Sequence, residues 1–283
     1  MKKLLLILLC LPMIGFGQQT YVPDDNFEAY LESHSPNGSL VAIGSPSAMG
    51  NGIPNDDYVT TTNINTVLNL QVGSQNIADL TGIEDFVDLD LLNCEDNQLT
   101  TLDVSGATAL TSLNCAYNFP SLTSLNVSGA TSLITLLCHF NRITSLDVSQ
   151  NTALTSLRCD SNQLTSLDLS QNTALTSLRC HSNQLTSLDL RNGNNTNITP
   201  YFINNIPYPD ISIGSNPNLT CINVDDVTYS NTNWLLGIVI NAQQYFSTNC
   251  TPMNLGCTDS LACNYDSIAT IDDSSCVYSY TST

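Results

Sequence analysis

One phrase, Leu-x-x-Leu-x-Cys-x-x-Asn-x-Leu, dominates the middle of this chain. Its cysteine returns at 94, 115, 138, 159 and 180, and its asparagine at 97, 118, 141, 162 and 183. A unit of this length cannot bury its own apolar edge, so successive units must stack. In Leu157-Arg158-Cys159, alternation sends Leu157 and Cys159 to one side and Arg158 to the other, as a short strand requires. Parallel strands of this kind stack about 4.8 Å apart with leucine and cysteine inward. The recurring asparagine satisfies backbone groups where each coil turns and again in the adjoining coil. The second half of each unit, as in Leu164, Leu167 and Leu169, sends leucines to the centre from the opposite side. Little room remains for a helix there.

The predicted fold is therefore a β-rich repeat solenoid. It has a parallel sheet on one face, short extended segments on the other and a small helical N-terminal cap. Continuing the cysteine register outward through Val72, Ile203 and Val224 gives intervals of 22, 21, 23, 21, 21, 23 and 21 residues. That predicts about eight coils over residues 64–226, spanning about 34 Å along the axis. Cys94, Cys115, Cys138, Cys159 and Cys180 form an inward ladder. Neighbours one coil apart lie within disulfide reach, but parallel side chains packed in a core rarely attain the torsion, and five is odd. Buried free thiols that serve packing are expected.

The pattern resembles the leucine-rich-repeat proteins over residues 64–226. It is most similar to the short bacterial subclass of nested half-repeats, Leu-x-x-Leu-x-Leu-x-x-Asn-x-Leu-x-x-Leu-Asp-Leu, with cysteine in the third leucine position. The resemblance implies an exported binding scaffold. Residues 1–17 read as a signal peptide. Lys2 and Lys3 precede an apolar run from Leu4 to Phe16, with Gly15-Phe16-Gly17 as the cleavage site, and the run is too short for a membrane span. Leu9 before Cys10 argues against a lipoprotein box. Without this segment only Arg142, Arg158, Arg179 and Arg191 face 25 acids, a net charge of −21. Such a surface disfavours nucleic acid and anionic membranes. No other segment is long and apolar enough to span a bilayer, "WLLGIVI" at 234–240 being one buried segment at most.

Residues 18–63 read as an N-terminal cap whose helix is capped by Asp25, with Glu28 reaching back and Phe27, Tyr30 and Leu31 on one face. Residues 227–250, with the single Trp234, read as a C-terminal cap that Cys221 and Cys250 would clasp to the last strand. Residues 251–283 contain "GCTDSLACNYDSIATIDDSSCVY", which resembles a cysteine-rich module that recurs in tandem in exported proteins of aquatic bacteria. Cys257 and Cys276 are assigned to a disulfide, leaving Cys263 over. That odd count suggests a natural chain continuing past Thr283. Asp259, Asn264, Asp266, Asp272 and Asp273 form a candidate calcium set, weighed against solvated turn acids because the spacing is not that of an EF-hand.

Outward-facing columns follow from the register. One reads Asn93, Asn114, Leu137, Arg158, Arg179, Phe202 and Asn223. The next reads Glu95, Ala116, His139, Asp160, His181, Asn204 and Asp225, with Tyr117 and Phe140 beside it. Two arginines one coil apart repel each other unless an acid or an anion intervenes. Arg158, Arg179, His139, Asp160, His181, Tyr117 and Phe140 thus form a candidate surface for a carboxylate or sulfate ligand. The competing reading is a solvated face on which Asp160 relieves both arginines. His139, Asp160 and His181 also make a transition-metal donor set, though no fourth ligand is specified.

On the back, Asp103, Asn126, Asp147, Asp168 and Asp189, flanked by Thr101, Ser124, Ser145, Ser166 and Ser187, need relief from screening, hydroxyls or cations. The sequence holds no glycine-rich phosphate loop and no nucleophile elbow, and His34 lies in a cap, so no catalytic residue is named. The reading is a monomeric, secreted or cell-surface, non-catalytic recognition or adhesion protein that binds a protein or glycan and requires no cofactor, calcium excepted. The alternatives are a rigid spacer carrying a calcium-binding terminal module, an ice-binding protein and a hydrolase.

Overall fold

Seven short parallel strands stack in one unbroken ladder in the computed structural model: Asn69–Gln71, Leu91–Asn93, Ser112–Asn114, Thr135–Leu137, Ser156–Arg158, Ser177–Arg179 and Ile211–Ser212. We call these coils 1 to 7. The structure describes residues 18–120, 122–198, 201–203, 206–208, 210–234, 243–250, 255–267, 271–272 and 274–278. The signal peptide assigned to 1–17, Asn204, Asp273 and most of the "WLLGIVI" segment lie outside the described residues. No described helix is long and apolar enough to cross a membrane.

The register is that of identical positions. Leu157 pairs with Leu136 and Leu178, and Arg158 pairs with Leu137 and Arg179. Leu157 and Cys159 are buried at 1% and 0% exposure, while Arg158 is half-exposed. All five ladder cysteines are free and fully buried. Burial pushes the Cys115 thiol up to about 12 and those of Cys94, Cys138, Cys159 and Cys180 well up too. These sulfurs stay protonated, so they pack rather than react.

Each asparagine ties two coils together. Asn162 Nδ2 donates to the carbonyls of Cys138 and Cys159, and its Oδ1 accepts from Ile143 N in the coil before. Asn183 repeats the pattern with Leu164 N, and Asn118 with Leu99 N. Asn141 departs from it, because the residue equivalent to Leu99 and Ile143 is Pro120, which has no N–H. Its Oδ1 takes Asn118 N instead.

The solenoid has seven coils, not eight. An antiparallel hairpin, Tyr201–Ile203 with Ile206–Tyr208, is inserted after coil 6, and Ile211–Ser212 rather than the chain around Ile203 pairs with Leu178–Arg179. Ile213 and Asn216 supply the repeat's cysteine and asparagine positions. Val224 belongs to the other side, where Cys221–Asn223 pairs with Ser187–Asp189 and with Tyr245–Ser247. Phe202, Asn223 and Asp225 therefore leave the strand-face columns, and Ser212 and Gly214 take the coil-7 places.

The second face is discontinuous. Thr101–Asp103 pairs with Ser124–Asn126, and Ser166–Asp168 begins a separate ladder, while Ser145–Asp147 of coil 4 is not a ladder strand. A pocket of about 270 Å³ opens there between Ser145, Asp147, Ser149, Ser166, Asp168 and Gln171. The outward residues of coils 2 to 6 on the seven-stranded sheet are half-buried, whereas those of the second face are mostly exposed. We call the continuous sheet the inner face and the interrupted one the outer face.

In the N-terminal cap, Asp24 rather than Asp25 caps the helix Asp25–Ser33, accepting from Asn26 N and Phe27 N. Its other oxygen accepts from Ala78 N and Asp79 N of coil 1. Glu28 does not reach back. It is buried and accepts from Asp56 N and Asp57 N, just as Glu32 accepts from Asn51 N and Gly52 N. Phe27, Tyr30 and Leu31 are buried together. Gln19–Tyr21 and Tyr58–Thr60 add an antiparallel ribbon to this cap.

At the other end, Asp226 caps the helix Val227–Asn233, and buried Trp234 meets Tyr229 and Phe246 edge-on. The Cys221–Cys250 disulfide clasps this segment to the second face. Cys257 and Cys276 are joined, and Cys263 is free and exposed.

Candidate functional site

Two residues past each cysteine position the backbone turns left-handed. Ser74, Asp96, Tyr117, Phe140, Ser161, Ser182 and Ser215 all have φ between 53° and 58°. Small polar residues accept this conformation most readily, and bulky ones pay a steric cost. Four of the seven positions hold serine. Coils 3 and 4 carry aromatic rings there instead, and the fold buries only part of each. Tyr117 and Phe140 are 47% and 40% exposed. Their rings stack one coil apart, with centroids 4.9 Å apart and planes within 11°.

Beneath them lies His139, 5% exposed, with the Tyr117 and Phe140 rings edge-on to it. Its Nδ1 has no hydrogen-bond partner among the described residues. Burial, helped by the nearby Arg158 charge, holds this imidazole below the usual histidine range against the pull of Asp160 and Glu95. The folded state thus favours neutral His139. The resulting stabilisation is complete above the unfolded value of about 6.5 and is lost as pH falls through the lower folded value. In His139→Ala, which borrows Ala116 from the same column, the difference from wild type in urea-unfolding free energy is expected to narrow as pH drops from 7.5 to 5. A pH-independent difference would refute the assignment.

Asp160 is the hub of the polar part. It is 1% exposed, accepts from Arg158 Nε at 2.8 Å, and stands 3.6 Å from His181 Nε2. His181 Nδ1 lies 3.2 Å from Ser212 Oγ. Asp160 therefore relieves one arginine, not two. Arg179 has no hydrogen-bond partner among the described residues. Its charge acts on Asp210, whose carboxyl burial pushes up and Arg179 pulls down. His139, Asp160 and His181 do not assemble as a metal centre, and no such cluster occurs among the described residues. The Asp160 carboxylate is committed to Arg158, and His139 is roofed by rings.

Sequence reasoning missed Phe119, Arg142 and Asp210. Phe119 is 59% exposed, and the Arg142 guanidinium sits 5.1 Å from its ring centroid. The available signal was the 23-residue spacing from Cys115 to Cys138, two residues longer than its neighbours, which pushes Phe119 outward. Asp210 was hidden by the misplaced coil 7.

The back-face acids have a local role. Asp103, Asp147, Asp168 and Asp189 each accept from the backbone N–H two residues on, as does Asn126. The Ser105 hydroxyl, the Ser149 backbone N–H and the Arg191 guanidinium, respectively, do most to hold the Asp103, Asp147 and Asp189 carboxyls low. They are turn caps first. In the terminal module, Asp259 accepts from Leu261 N and from the Tyr278 hydroxyl, and Asn264 bonds Ser275 O and Val277 N. Asp266 N donates to Cys257 O, and Asp272 lies in a two-residue strand paired with Leu255–Gly256.

Parallel coils, a leucine interior and an asparagine ladder define a leucine-rich-repeat solenoid. No protein-family model matches the chain, and no curated protein does. Among solved structures it is similar to the functional domain of InlJ from Listeria monocytogenes, which includes a cysteine ladder. The two are 27% identical over 81% of this chain, with a TM-score of 0.34, and the chain spans 61% of that structure's length. It is also similar to internalin C2 of the same species, at 17% identity over 82% of this chain and 99% of that one, with a TM-score of 0.39. A leucine-rich-repeat protein of Leptospira interrogans aligns over 56% of this chain and 53% of its own, at 17% identity and a TM-score of 0.31.

Proposed function

We propose that this is an exported, non-catalytic recognition protein that binds its partner through the inner sheet face of coils 3 to 6. The observation that carries this reading is the exposed Tyr117–Phe140 stack at left-handed positions that the repeat otherwise gives mostly to serine. Large rings held in a costly conformation and left half in water are more than is needed to cover His139, whereas aromatics beside arginines are what recognition surfaces concentrate. The two disulfides suit an oxidising compartment outside the cytosol.

The test is Tyr117→Ser with Phe140→Ser, which installs the residue the column already uses. Capture of cell-surface proteins and glycans by the wild type is expected to fall at least tenfold in the double variant. The melting temperature should hold or rise. A control on the second face, Asp147→Asn with Asp168→Asn, should bind normally. Equal capture by all three proteins would sink the reading.

A further inference from the structure

We infer that the partner surface of coils 3 to 6 takes an anionic glycan, a chain of uronate or sulfated sugar residues lying along the solenoid axis. This rests on the recognition reading above and specifies its ligand. The patch has two parts at different heights. Stacked rings occupy coils 3 and 4, and guanidinium groups occupy coils 5 and 6. A ligand touching all four side chains must span three coil intervals, roughly 14 Å, parallel to the axis. It must offer a flat apolar face at one end and an acid at the other. A pyranose ring bearing a carboxylate or sulfate combines both in one residue, and a chain of them repeats the pair at a spacing comparable to the coil's.

The two parts fit those needs separately. Phe140 stacks on Tyr117 with one ring face, and the next residue in its column is Ser161, too small to cover the other. That leaves an aromatic face half in water beside coil 5, the arrangement on which the C–H face of a sugar packs. Arg158 spends only Nε on Asp160, so its two terminal nitrogens keep their donors, and Arg179 has no hydrogen-bond partner among the described residues. Two guanidinium forks one coil apart are matched to planar oxyanions.

The experiment compares four polymers on the full chain by calorimetry or biolayer interferometry. Polygalacturonate and dextran sulfate carry both sugar ring and anion, neutral dextran carries the ring alone, and poly-glutamate the anion alone. The first two are expected to bind at least tenfold more tightly than the last two. Arg158→Ala with Arg179→Ala and, separately, Tyr117→Ser with Phe140→Ser should each remove at least tenfold of that affinity, with melting curves checking the fold.

Poly-glutamate binding as well as polygalacturonate, independently of the rings, would overturn the glycan assignment in favour of an acidic peptide. Absence of binding to all four polymers would overturn it too. Either result leaves the recognition reading to its own capture test, which does not depend on these polymers.

Discussion

Replacing Asn162 by alanine is expected to cost about 3–5 kcal/mol, although the side chain touches no ligand and carries no charge. Its amide donates to the carbonyls of Cys138, Cys159 and Asp160, and its oxygen takes the N–H of Ile143. Alanine leaves these groups buried and unpaired between coils 4 and 5, at roughly 1–3 kcal/mol for each one stranded. Because each coil contacts only its neighbours, the loss weakens one seam rather than the whole stack. Urea unfolding should therefore become broad or biphasic as well as earlier. A single sharp transition within 1 kcal/mol of wild type would show that the asparagine ladder is incidental to stability.

Reducing Cys221–Cys250 is expected to have the next largest effect. The bridge closes a chain separation of 29 residues, which corresponds to roughly 3–4 kcal/mol of lost freedom in the unfolded chain. The segment it closes contains the chain's one tryptophan, which is 1% exposed and donates through Nε1 to Ile198 O. Cys221→Ser with Cys250→Ser should lower the midpoint of unfolding and shift Trp234 emission to the red before circular dichroism reports loss of the coils. Unchanged emission and stability would mean that Trp234, Phe246 and Tyr229 hold the end closed without the bridge.

How much of this was legible in the sequence depended on distance from the repeat. Leu157, Cys159 and Asn162 could be placed from periodicity because the same physical requirement recurs in every coil. The register failed at Ile203, where an apolar residue at the right spacing imitated a core position. The asparagine three residues beyond Ile213 carried the true signal, since the side chain that ties coil to coil specifies the turn more sharply than apolarity does. At the candidate site, the columns correctly brought Arg158, Asp160, His181 and His139 together. Column position alone, however, could not divide Asp160 between two arginines, which depends on a guanidinium's reach. Nor could it show that His139 lies under two rings. The acids of the N-terminal cap were misassigned because Asp24 and Asp25 are equivalent as letters, and only the backbone direction entering the helix separates them.

The gap in the outer ladder at coil 4 has a mechanical meaning. One edge of the stack is stitched by strand hydrogen bonds from end to end. At coil 4 the other is held by the side chains of Asn151 and Asn172 on neighbouring carbonyls and not by a strand ladder, so the molecule resembles a leaf spring with one stiffer side. Flexing concentrates at coil 4, with the rings of Tyr117 and Phe140 at or below that level and Arg158 and Arg179 above it. Anything that grips both groups at once sets the curvature, and a pull on the ends of the stack would be felt at the grip.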